Sequence, residues 1–239
     1  MAVPLKGLCI FILSFLIFRT AELILVRRLK LSIFLGRPEI LRKWINIFLS
    51  IVHATVVSVS ILICFYRTPK LMEDLIYTYS DLSYCVIAMS AGYFFHDTID
   101  LMHERNLSEL STVMIIHHIL VIVGQSYSII TYKVTGFVLV NLLAEINSIF
   151  LHLRLLLNLY NLNKKSLTYI IVSIVNLGTL IVFRIMIPCF LVRWILINKA
   201  KLPLHFYIIC IIGIIFLVPM NLMILCRCFK KDFLNSFSD

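Results

Sequence analysis

No Asp, Glu, Lys or Arg occurs between Leu204 and Cys226. Roughly 20 apolar residues are what an α-helix needs to cross the hydrocarbon of a bilayer at 1.5 Å rise per residue. Comparable runs fall at Leu5–Val26, Trp44–Tyr66, Asp81–Leu101, Thr112–Tyr132, Thr135–Leu159 and Leu167–Trp194. They predict an all-α membrane protein of about seven transmembrane helices. The chain is 61% hydrophobic and 14% charged; soluble domains average about 45–50% and about 25%. So much apolar surface cannot all turn inward, and part of it must meet lipid.

Gly7–Phe18 has the character of a signal-peptide core. The following Phe18-Arg19-Thr20-Ala21-Glu22 lacks a small-residue cleavage site, so a retained anchor is expected. Trp44, Tyr66, Tyr160 and Trp194 sit at span ends, where an interfacial aromatic belt explains them. The net charge of +10 forms no basic stripe interleaved with aromatics, which argues against nucleic acid as a partner. It reads instead as topology. Arg27, Arg28, Lys30, Arg37, Arg42 and Lys43, with Arg105, Lys164, Lys165, Arg227, Lys230 and Lys231, outweigh Lys6, Arg67, Lys70, Lys133, Arg193, Lys199 and Lys201 on the other side. The positive-inside rule then puts the N-terminus outside and the C-terminus in the cytosol. The seven cysteines are odd in number and form no C-x-x-C, so neither a disulfide framework nor a zinc site is read. Cys226 and Cys228, beside Arg227 at a membrane edge, are candidates for palmitoylation.

Polar side chains inside the runs carry whatever chemistry there is, because each is expensive in lipid. His117 and His118 stand side by side in Ile, Leu and Val. Neighbours on a helix point about 100° apart, so one is expected to face a site while the other orients it. The third run ends with His96, Asp97 and Asp100 on its last turns. The fifth carries Asn141, Glu145, Ser148 and His152 on a single stripe. Asn46, Ser50 and His53 mark the second run; Asn176, Arg184 and Pro188 mark the sixth, where Pro188 should kink the helix. By helical rise, Asp97, His117 and His152 all lie roughly 6–10 Å from the cytosolic end. Three helices of alternating direction thus bring His and Asp to one level, with Glu145 deeper. A chamber with a cytosolic mouth is the implied shape. His117, His118, Asp97 and Asp100 are the candidate catalytic residues, with His118 expected as the base or a transient nucleophile and Asp97 or Asp100 as the group that fixes its tautomer. His96, Glu145, Ser148, His152, Asn141 and Arg184 are candidates for binding substrate. Asn141, Asn147, Asn176 and Ser148 also read as interhelical hydrogen-bonding groups. Arg154 is expected to snorkel to the cytosolic face, and Arg184 to pair with a carboxylate, Glu145 being a candidate. A single His-His pair without H-x-x-H-H excludes the di-iron desaturases. A zinc site from His96, His118 and His152 has no specific spacing, and no metal is assigned.

These residues resemble the TLC-domain family, which includes the ceramide synthases and the translocating-chain-associating membrane proteins, and within it the type 1 and type 2 TLC-domain-containing proteins. The likeness rests on Trp44, Asn46 and His53; on Ser90-Ala91-Gly92-Tyr93-Phe94-Phe95-His96-Asp97-Thr98-Ile99-Asp100; on His117-His118; on Glu145 through Leu151 with Arg154; and on Val175-Asn176, Phe183-Arg184 and Pro188. It implies a barrel-like bundle of six helices around a lipid-sized cavity. A TLC domain would occupy 37–232, preceded by an anchor helix and basic loop (1–36) and followed by a short tail (233–239). In the ceramide synthases the histidine pair serves acyl transfer from acyl-CoA, and a D-x-x-D pattern follows one helix later. Here Glu145 and Ser148 stand at that spacing. The departure moves the expectation from ceramide synthesis to the type 1 and 2 role in phospholipid acyl composition and membrane fluidity. The resemblance implies no bound cofactor, acyl-CoA as co-substrate, and membrane lipids or another membrane protein as partners. A plasma-membrane location is favoured, and the endoplasmic reticulum is compatible.

The deduced topology puts the lone sequon, Asn106-Leu107-Ser108, in the cytosol. The native chain expressed in cells should show no mobility change on endoglycosidase treatment; a glycan on Asn106 would invert the topology.

Overall fold

The computed structural model describes residues 5–29, 37–103 and 109–234. Lys30, Arg105, the sequon at Asn106 and the end of the tail, 235–239, lie outside the described residues. Every regular element within them is helical: α1 Leu5–Arg28, α2 Pro38–Arg67, a short α3 Lys70–Glu73, α4 Asp81–Met102, α5 Glu109–Thr131, α6 Thr135–Leu142, α7 Ala144–Leu159, α8 Leu167–Leu180, α9 Ile187–Asn198 and α10 Leu204–Phe229. Local chemistry sets several starts. Pro38 opens α2, where its missing N–H costs nothing. The Ser80 and Ser166 hydroxyls cap α4 and α8 by accepting from the N–H groups of Ser83 and Tyr169.

Packing closes a ring. α2 lies against α4, α4 against α5, α5 against α10, α10 against α8 and α9, α8 against α7, and α7 against α2. α1 stands outside the ring, along α4 and α2. α1 and α4 run in the same direction: Lys6 pairs with Asp81 (2.7 Å), the Ser14 hydroxyl donates to the Met89 carbonyl (2.7 Å), and Glu22 meets His96 (3.1 Å). Gly92 permits this approach, because a Cβ there would strike the Phe11 carbonyl and lie 2.9 Å from the Ser14 Cβ. Small residues at a helix crossing are how membrane helices gain close packing. The outer face of α1, with Leu13, Leu16, Ile17 and Ile24, is exposed, as a lipid-facing surface should be.

Six of the expected seven runs form helices long and apolar enough to cross a membrane. The exception is α4. It has the length, but His96, Asp97 and Asp100 in its last turns dilute its hydropathy. It is also surrounded by α1, α2 and α5, so little of it has to face lipid.

Two spans are irregular where polar residues enter. The fifth breaks at Leu143, between Asn141 and Glu145, into α6 and α7. The sixth widens into a π-helical turn, Ile181–Met186, that contains Arg184. The kink expected at Pro188 is thus taken up one turn earlier. Proline has no N–H for the carbonyl of Arg184, and a wide turn re-registers the ladder there.

Arg154 does not snorkel. It is 4% exposed and donates from Nε and Nη2 to both oxygens of Asp232, each at 2.5 Å. Asp232 lies on a π-helical turn, Lys230–Leu234, that extends α10, and it also accepts from the Tyr169 hydroxyl at 2.9 Å. The partner is closer than the interface, so the guanidinium stays inside. Cys228, on the same end of α10, is buried beside Asn176, which removes it as a palmitoylation site; Cys226 is exposed.

Truncating one partner of a buried, hydrogen-bonded ion pair costs about 3–5 kcal/mol. Asp232→Ala should lower unfolding free energy by that order in an SDS titration. The double variant Arg154→Met/Asp232→Leu, which removes both charges, should recover most of the loss.

Candidate functional site

The last turns of α4 supply the site's carboxylates, and α2 holds them. Asn46 donates through Nδ2 to Asp97 Oδ1 (2.6 Å) and to Asp100 Oδ2 (2.9 Å). The second oxygen of Asp97 then faces Nδ1 of His118 on α5, at 3.5 Å. Asp97 and His118 are 7% and 3% exposed. The level match expected from helical rise named Asp97, His117 and His152; the histidine that meets Asp97 is His118.

The two histidines of the pair divide. His117 lines an interior chamber, and His118 does not. His118 turns towards Asp97 and the ring of Phe94 (5.1 Å between centroids). The 100° offset of adjacent helical residues requires this split once α4 occupies one side of α5.

The chamber is a cavity of about 130 Å³ with an open mouth. His117, Asn141, Glu145, Arg184 and Asn221 mark one end, and Phe137, Ile195 and Phe206 the other. Arg184 does not pair with Glu145. Its Nη2 donates to the Ser148 hydroxyl (2.8 Å), and its buried Nε has no partner. Glu145 instead stands 3.9 Å from Nδ1 of His53 on α2. His53 is 1% exposed and stacked on Tyr93 at 3.8 Å, and the Tyr93 hydroxyl donates to Ser50. Arg184 nonetheless lies close enough to Glu145, His117, His118 and His152 to interact electrostatically with each.

Two sequence candidates sit elsewhere. His96 points out of the ring to Glu22 of α1, which also accepts from Arg19 at 2.6 Å. His152 is close enough to His53 and His118 to interact electrostatically with both, but does not line the chamber. His96, His118 and His152 therefore do not converge, and among the described residues no three His, Cys, Asp or Glu side chains are placed to hold a metal ion. Asn147, read as interhelical glue, donates to the Asn176 carbonyl (3.0 Å) and to the Thr179 hydroxyl (3.0 Å). Trp44 donates to the Tyr160 hydroxyl at 2.8 Å, so two of the expected belt aromatics tie α2 to the end of α7.

Comparison with protein families matches residues 43–230 to the TLC domain. This chain belongs to the TLC-domain family. Among similar proteins, the TLC domain-containing protein 2 of Danio rerio is 38% identical over 194 residues, which cover 81% of this chain and 78% of that protein. The TLC domain-containing protein 2 of Mus musculus is 30% identical over 193 residues, 81% of this chain and 62% of that protein. The TLC domain-containing protein 1 of Rattus norvegicus is 30% identical over 193 residues, 80% of this chain and 76% of that protein. The matched span starts within α2, so α1 precedes the TLC domain while packing along its α4.

Asn46 is the TLC-domain residue whose role is hardest to see in sequence. Its bonds join positions far apart in the chain, so the sequence marks it as a polar residue of the second run without showing what it binds. Asn46→Leu would leave two carboxylates without their shared donor, a loss of about 1–3 kcal/mol. A lowered thermal midpoint in detergent should show it, and Asn46→Gln should restore less than full stability because its longer side chain misplaces the amide.

Proposed function

We propose that this TLC-domain protein transfers acyl groups from acyl-CoA to a membrane lipid, and so sets phospholipid acyl composition and bilayer fluidity. One observation carries the proposal: a largely apolar chamber has His117 at its polar end, with the His118 ring beside it (5.6 Å between centroids) and Asp97 facing His118 at 3.5 Å. A chain of imidazole and carboxylate is suited to moving protons, and an apolar cavity is suited to an acyl chain.

In the proposed reaction, His117 takes the proton from the lipid hydroxyl or amine as that group attacks the thioester carbonyl. The C–S bond breaks as the new ester or amide bond forms. The proton returns through His117 to the departing thiolate of coenzyme A. His118 packs beside His117, and Asp97, facing Nδ1 of His118 at 3.5 Å, fixes its orientation. Arg184, steadied by Ser148, stabilises the carbonyl oxygen as it becomes negative. Acyl-CoA would arrive from the cytosol, where Arg37, Arg42 and Lys43 attract its phosphates. The resemblance to the type 1 and type 2 subgroup carries the proposal to the plasma membrane.

A second reading is a lipid-binding regulator, or a scaffold for another membrane enzyme or channel, without turnover. Ser148 favours it: it stands where the ceramide-synthase pattern has an aspartate, and its hydroxyl is shared between Arg184 and Glu145.

Purified full-length protein given labelled acyl-CoA and mixed phospholipids should form acylated product. His117→Ala should cut the rate by about 10²-fold or more, the usual worth of a positioned acid–base group. Equal product from the variant ends the acyl-transfer reading. No product from either protein, with reduced folding yield of the variant, favours the regulator.

A further inference from the structure

Mid-helix glycine weakens a helix, so it usually has a local reason. In this chain the reasons divide. Gly7, Gly92 and Gly136 lie under close contacts that a Cβ would violate. Gly124 and Gly213 do not: a Cβ on Gly124 meets nothing within 4 Å, and one on Gly213 meets only the tip of Leu217 at 4.0 Å. Both glycines line the chamber, Gly124 from α5 and Gly213 from α10. The space they leave empty is chamber space.

Their depth gives that space a use. α5 and α10 run antiparallel, with Tyr127 bonded to His205 at the far end (2.9 Å) and Val113 packed on the Met220 cluster at the near end. Gly124 lies roughly 10 Å beyond His117 along α5, and Gly213 roughly 12 Å from Asn221 along α10. Past them the chamber continues to Phe206, roughly 22 Å from Asn221 by the same rise. There Phe137 and Tyr127 pack on Phe206, at 5.5 and 4.8 Å, and form a floor. The polar end is built for an anionic or carbonyl head. Arg184 is 6% exposed, lines the chamber, and has an Nε without a partner. A polar-headed, apolar space about as deep as an extended long fatty acyl chain is thus open at mid-depth only because two side chains are missing.

We infer that Gly124 and Gly213 are the chain-length-determining positions of this chamber: they admit the distal half of a long acyl chain. The inference rests on reading the chamber as an acyl-chain site. A side chain at either position would close the distal half and leave the half beside His117 intact.

The test uses the full-length protein in detergent, incubated separately with octanoyl-CoA and stearoyl-CoA, with bound ligand read by native mass spectrometry. Wild type should retain stearoyl-CoA. Gly124→Leu and Gly213→Leu should each lose stearoyl-CoA about tenfold or more while keeping octanoyl-CoA, given what a few methylenes are worth in an apolar pocket. Gly124→Ala, a methyl in open space, should raise the thermal midpoint and give an intermediate loss. Gly178→Leu, at an exposed glycine of α8 outside the chamber, should bind both as wild type does. Leucine variants that hold stearoyl-CoA as wild type does, or that lose both ligands equally, overturn the inference and leave the chamber as an acyl site. Wild type that binds neither ligand overturns both.

Discussion

Asn46 gripping two carboxylates is the interaction on which the rest of the interior depends. A carboxyl group in a bundle surrounded by hydrocarbon must find a donor or a cation, or it is too costly to keep there. α4 presents His96, Asp97 and Asp100 in its last turns, and three neighbouring helices answer them. Asp97 and Asp100 are bound by α2, Asp97 also faces His118 of α5, and His96 is bound by Glu22 of α1. The least apolar helix is therefore the one that joins three others. Its dilute hydropathy follows from that position, because a helix enclosed by protein has little surface that must suit lipid.

Local signals were legible in the sequence, and partner choice was not. The apolar runs and the angular split of the histidine pair follow from helical rise and from 100° per residue, which act along one chain; that His117 rather than His118, the expected base, faces the chamber does not. His53, Asp232 and the Ser148–Arg184 bond do not follow, because they depend on which helices end up adjacent. Arg154 illustrates the limit. Its distance from the end of α7 made snorkelling reasonable, and only the return of α10 brings Asp232 within 2.5 Å. His96 shows the converse. It shares a turn with Asp97 but looks out of the ring, since α1 docks on that face. The mid-chamber glycines carried no signal at all, because an empty Cβ position has meaning only once the wall around it is known.

Irregular backbone falls where the chamber needs it. Broken or widened helices are tolerated at membrane depth when they line a cavity. The break at Leu143 lies between Asn141 and Glu145, and the wide turn before Pro188 carries Arg184; all three side chains reach the chamber's polar end. The far half, by contrast, is built from unbroken helix and mostly apolar and aromatic side chains, with Gln125 the polar exception. Polarity is thus sorted along the axis of the ring, a polar end followed by an apolar tail, which is the order of groups in an acyl lipid.

The departure from the D-x-x-D pattern then acquires a physical meaning. An aspartate at position 148, beside the Arg184 guanidinium, would form a buried ion pair and consume its charge. Serine supplies a hydrogen bond and no charge, so Arg184 is held in place with its field intact. The nearest acid, Glu145, lies beyond ion-pair distance and stands against His53 instead. Among the described residues no carboxylate lies within ion-pair distance of this buried guanidinium, an expensive arrangement that Ser148 and the field of Glu145 offset only in part. Ser148 thus holds Arg184 without neutralising it, which is what the proposed role at a developing oxyanion requires.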